Sequence, residues 1–285
     1  MKDRIQNYLP NLKESWLLVL VLLFGGFVCQ GLFLWVVRTC CPDQEWLTKA
    51  VSYVMLFLPL LAVVNYRCRN LDTFPQTHPS FGIPLSVPLQ SRLPKWVVYL
   101  LLLLSVPCLA LLSEGLIAWL PAPEWFNQLM QELTGGNLWI NLLSVAVLAP
   151  LLEEFFCRGL VLRGLLRHAT PTRAILWSAF IFAIIHLNPW QALPAFLMGI
   201  FFGWVYYRTG SLWTAIFLHA TNNGLCVLIP NLFPQLGSDY RLTDLCSETL
   251  PVWVCYAAAT VLLLVIIRIL HQNTQPIVIQ SHESK

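Results

Sequence analysis

Glu153, Glu154 and Arg158 stand together in the otherwise apolar stretch APLLEEFFCRG, Ala149 to Gly159. A charge at the centre of a bilayer costs a few kcal/mol at the least, so such side chains require partners, water or a chemical task. Glu154 and Arg158 are four apart and share a helix face, whereas Glu153 points roughly 100° away around the axis. That spacing predicts one carboxylate paired and the other free to act. Two further stretches complete a chemical set. FAIIH places Phe182 and His186 four apart, and HATNN does the same for His219 and Asn223. A single membrane histidine is often a packing residue bonded to a neighbouring helix. Two of them, with an amide and a carboxylate pair, supply what peptide hydrolysis needs: a base for water, donors for the oxyanion and an acid for the leaving amine. Pro150, one turn before the carboxylates, removes a backbone donor and is expected to loosen the helix there.

The elements that must carry these groups are set by composition. Of 285 residues, 57% are hydrophobic and only 11% charged, with a mean hydropathy of +0.66. Soluble domains carry about 25% charged residues, so the chain is expected to be an all-α polytopic membrane protein. Apolar runs occur at Trp16 to Val37, Leu47 to Tyr66, Trp96 to Leu120, Leu138 to about Leu162, Ala174 to Leu187, Trp190 to Tyr207, Leu212 to Pro230 and Val252 to Leu270. They predict a bundle of about eight transmembrane helices. The first run is too long for a signal-peptide core and has no small-residue cleavage site, so it reads as a retained span.

Basic residues orient the bundle. With the N-terminus inside, Lys2, Arg4, Lys13, Arg67, Arg69, Arg92, Lys95, Arg163, Arg167, Arg173, Arg208, Arg268 and Lys285 all fall on the cytoplasmic side, against Arg38, Lys49 and Arg241 outside. Both termini are then cytoplasmic. Three regions follow: 1–137 as an N-terminal region of three spans with a Pro-rich cytoplasmic loop at 67–95, 138–230 as a catalytic core of four spans, and 231–285 as the last span and tail. Counting about 1.5 Å per residue from the cytoplasmic ends puts Glu153, His186, His219 and Asn223 at depths of about 15, 20, 12 and 18 Å, which would let them meet, with Arg158 nearer the cytoplasmic surface. Gly199 and Gly203 form a GxxxG expected to mark close helix packing. The nine cysteines contain no CxxC pair; Cys246 is a candidate partner for Cys40 or Cys41 on the outer side.

EEFFCR, FAIIH and HATNN match the motifs EExxxR, FxxxH and HxxxN of the CPBP family, the CAAX-protease and bacteriocin-processing family also called Abi. The resemblance covers Ala149 to about Gly224. It implies an intramembrane endopeptidase similar to the enzyme that trims prenylated CAAX proteins. Carried onto this chain, Glu153 and His186 would activate the attacking water, and His219 and Asn223 would stabilise the oxyanion. Glu154, Arg158 and Phe182 would support that geometry. The resemblance leaves the cofactor open: no metal is the favoured expectation, and zinc, if bound, would take Glu153, His186 and His219 as ligands.

Other intramembrane protease chemistries would leave HExxH, GxSx or GxGD, none of which occurs. Two other classes use similar residues, a catalytically silent scaffold or bacteriocin-immunity protein and a proton- or ion-coupled transporter. Intact motifs speak against the first, and the adjacent carboxylates with HxxxN favour hydrolysis over the second. The expected partners are membrane lipid and a protein or peptide substrate, lipidated or not, and no nucleic acid. With no organelle-targeting segment before the first span, a bacterial plasma membrane is the first expectation and a eukaryotic endomembrane the alternative.

Overall fold

A computed structural model describes residues 2–41, 43–71, 82–233 and 251–277. Among these residues the chain is helical throughout, and the single strand-like feature is an isolated bridge between Ser91 and Thr274. The helices are α1 (Lys2–Asn7), α2 (Leu12–Cys40), α3 (Leu47–Arg69), α4 (Lys95–Ile117), α5 (Glu124–Thr134), α6 (Leu138–His168), α7 (Pro171–Ile184), α8 (Pro189–Thr209), α9 (Leu212–Leu232) and α10 (Val252–Asn273). Six of them, α2, α3, α4, α6, α9 and α10, are long and apolar enough to cross a membrane. Every apolar run of the sequence is therefore a helix, within a multi-pass membrane protein. The fifth run forms α7, whose 14 residues rise only about 21 Å, short of a bilayer core of about 30 Å. The sixth forms α8, which is 21 residues long but carries Gln191, Tyr206, Tyr207 and Arg208 and is not among the six.

The helices that carry the motifs form the interior. Residues 156–166 of α6 are nearly all buried, and α7, α8 and α9 pack around them. Gly199 lets α8 close on α7: a Cβ there would meet Ala179 at 3.1 Å and Phe182 at 3.2 Å. That is the close packing expected of GxxxG.

Arg163 does not end its helix. The helix continues to His168, and Arg163 is fully buried because the N-terminal segment folds over it. Its guanidinium donates to the carbonyls of Ile83 (2.8 Å), Ile5 (2.6 Å) and Tyr8 (2.9 Å). Gly164 follows because Pro10 lies against it, leaving no room for a side chain. Most of the Pro-rich loop, and Cys246 with its suggested pairing, lie outside the described residues.

Candidate active site

The site is built on a helix that is not regularly wound. α6 runs as π-type turns over Leu142–Leu148, α-helix over Ala149–Glu154, and π-type turns again over Phe155–Leu162. Such wide turns cluster at functional sites in helices. The first follows from Pro150. The N–H of Ala149 bonds to Ser144, and Pro150 has no N–H, so the carbonyl of Val145 has no helical donor at either spacing. Asn223 of α9 supplies one, its amide donating to Val145 at 2.9 Å. The expected loosening at Pro150 is thus met by a side chain from another helix.

Glu154 and Arg158 form the predicted pair, at 2.7 Å and without solvent exposure. Arg158 is enclosed by the protein: its other terminal nitrogen donates to the Gly199 carbonyl at 3.0 Å, and its guanidinium lies 4.5 Å from the Phe182 ring centroid and 5.5 Å from that of Phe202. Two aromatic faces, a carboxylate and a backbone carbonyl compensate the buried cation.

Glu154 has a second partner that spacing alone did not reveal. His219 Nδ1 lies 2.9 Å from the same Oε1 that accepts from Arg158. A carboxylate oxygen accepts, so Nδ1 carries the proton and Nε2 faces the other carboxylate, 3.9 Å from Glu153 Oε2. Phe182 holds the imidazole edge-on, with centroids 5.3 Å apart.

Glu153 is buried, and its two oxygens differ. Oε1 accepts a hydrogen bond from the Tyr53 hydroxyl of α3, while Oε2 has no hydrogen-bond partner among the described residues. His186 stands at the end of α7, where Leu187 turns the chain with φ 58°. Its Nδ1 donates to the Phe182 carbonyl at 2.7 Å, which leaves Nε2 as the basic nitrogen. Glu153, His186 and Tyr53 line one cavity of about 50 Å³, walled by Leu22, Phe27 and Phe57. That volume holds a few waters.

Family comparison can now be weighed against this geometry. A family model described as type II CAAX prenyl endopeptidase Rce1-like matches residues 135–225. This segment, about a third of the chain, is similar to that family. The match holds all three motifs and bears out the resemblance they carry. No curated protein and no solved structure matches the chain.

Within the Rce1-like segment the structure joins Glu154, Arg158, Phe182 and His219 directly and brings Glu153 and His186 to one cavity. Asn223 lies apart from this set: no hydrogen bond links it to the carboxylates or histidines among the described residues. Phe202, also inside the segment, was missed because an aromatic residue on an apolar helix carries no chemical mark, and Gly199, read only for packing, also supplies the carbonyl that accepts from Arg158. Tyr53 lies outside the segment altogether. In VSYVMLF it sits six residues from the start of α3, where a tyrosine ordinarily anchors the membrane interface.

A catalytic zinc takes three protein ligands. Among the described residues no three His, Cys, Asp or Glu side chains gather into a metal-holding group. The named triad of Glu153, His186 and His219 does not fit a metal in this arrangement.

Proposed function

We propose that this protein is an intramembrane endopeptidase that hydrolyses a peptide bond of a membrane-associated or lipidated protein or peptide. The observation that carries the reading is Glu153, whose side chain lines a water-sized cavity shared with His186 and whose Oε2 is buried without a hydrogen-bond partner among the described residues. A water held between Oε2 and His186 Nε2 gives up its proton as its oxygen bonds to the scissile carbonyl carbon. The carbonyl electron pair moves to oxygen, where His219 Nε2, in its protonated form, and the second N–H of Asn223 are the donors. The proton held by Glu153 then passes to the amide nitrogen as the C–N bond breaks. Glu154 accepts from His219 Nδ1 and so orients the ring and stabilises its charged form, as a buried carboxylate does for a catalytic histidine, and Arg158 balances the charge of Glu154.

This reading includes eight spans with both termini cytoplasmic, supported by the distribution of basic residues, and a bacterial plasma membrane as the location. It also takes catalysis to be glutamate-dependent and metal-free. Glu153→Gln preserves size and removes the base, so turnover should fall by orders of magnitude with the melting temperature unchanged. Cleavage near the wild-type rate by that variant ends the assignment. Elemental analysis of active protein, with assay after exhaustive chelation, tests the cofactor: stoichiometric zinc whose removal abolishes activity and whose return restores it overturns the metal-free mechanism.

A further inference from the structure

We propose that Tyr53, on a helix that carries none of the motifs, is a positioning residue that aims Glu153 at the attacking water. The inference rests on the protease reading above and adds to it a group from outside the Rce1-like segment. A carboxylate attached through a single rotatable bond presents either oxygen to a neighbour. The Tyr53 hydroxyl donates to Oε1 and so removes that freedom, leaving Oε2 as the oxygen without a partner among the described residues, 3.9 Å from His219 Nε2, on a side chain that lines the cavity. Tyr53 also lines the cavity itself, beside His186 and Phe57. Its ring is held by Phe57, with centroids 5.6 Å apart, so the hydroxyl position is fixed by packing on its own helix.

The bond survives the chemistry. When Oε2 takes the water proton, Oε1 remains an acceptor, and the same hydroxyl keeps donating to it. Tyr53 therefore needs to neither lose nor gain a proton during turnover. Its contribution is geometric: it keeps the base within reach of the water throughout the cycle. A misplacement of about 1 Å in a reacting group can cost about a hundredfold in rate.

The test compares full-length wild type, Tyr53→Phe, Glu153→Gln and the double variant, each purified in detergent, using a quenched-fluorescent peptide. Tyr53→Phe keeps the ring and removes only the hydroxyl. The expected result is a fall in kcat of about tenfold to a hundredfold with KM changed by less than about twofold. No further loss is expected when the change is added to Glu153→Gln, because the two residues act as a unit. Infrared difference spectra give a readout independent of turnover: the carboxyl bands missing from Glu153→Gln should shift in Tyr53→Phe. An unchanged kcat, a raised KM with unchanged kcat, additive losses in the double variant, or an unshifted band each overturns the proposal. So does loss of cooperative melting, which would make Tyr53 a packing residue. If Glu153→Gln is as active as wild type, the protease reading fails and Tyr53's role falls with it. If Glu153→Gln is inactive and Tyr53→Phe is fully active, only the role of Tyr53 fails.

Discussion

Glu154 Oε1 is the point at which two cationic or donor groups, Arg158 and His219, converge in the absence of solvent. Removing one side of such a buried pair leaves the other charge stranded, a cost of roughly 3 to 5 kcal/mol. Arg158→Ala should therefore lower the melting temperature strongly as well as the rate. Glu154→Gln is milder, since the amide oxygen still accepts one of the two bonds. Differential scanning fluorimetry on detergent-solubilised protein checks both, and an Arg158→Ala variant as stable as wild type would refute the pairing. The Glu154–Arg158 contact was legible in the sequence, because two opposite charges four apart on a helix meet almost regardless of what surrounds them. The His219 contact was not, because it depends on how far α9 slides along α6, which no local spacing encodes. Of the two aromatic faces that cover the guanidinium, Phe182 was named as a supporting residue and Phe202 was not, for the same reason.

At the scale of the helix, Pro150 and Asn223 form a lock that crosses from α6 to α9. The proline frees the Val145 carbonyl and the asparagine fills it. Asn223→Ala should then have two separable effects, a loss of rate of roughly 10² to 10³ from the missing oxyanion donor and a loss of stability of roughly 1 kcal/mol from an unsatisfied, partly buried carbonyl. Adding Pro150→Ala returns a backbone N–H at the π-type spacing and should restore most of the stability and none of the rate. If the second change restores both, Asn223 is a structural staple and the oxyanion donor is another group. The need for a partner near Pro150 was readable from its missing N–H. Which carbonyl it exposed depended on the π-type winding, and the apolar pattern of LLSVAVL gives no sign of that.

Across the whole molecule, α6 is pinned at both ends by polar clusters that flank the catalytic middle. At its C-terminal end Arg163 gathers three carbonyls from the N-terminal segment and the loop before α4. At its N-terminal end Lys49 of α3 donates to Gly135 (2.7 Å), to Asn141 (2.8 Å) and to Glu45 (3.0 Å), while the Asn141 amide returns bonds to Thr134 and Gly135. Gly136 adopts φ 84° here, with Glu45 packed against it where a side chain would stand. The positive-charge pattern showed which residues lie beyond the apolar runs and nothing of these clusters, since it counts charges without their partners. The hydrogen bond from Lys49, aided by the Asn137 N–H and opposed by slight desolvation, holds the Glu45 carboxyl below its ordinary value. Its folded-state affinity for a proton is thus weaker than in the unfolded chain. The stabilising contribution is therefore complete above the ordinary carboxylate value of about 4.3, and it is lost as pH falls through the lowered folded value. Glu45 is partly exposed, so solvent screening keeps the effect small. Melting temperatures of wild type and Glu45→Gln, measured from pH 7 down to pH 3, should start apart and converge in the acid range. Parallel curves over that whole range would mean that Glu45 does not hold the loop between α5 and α6 against α3.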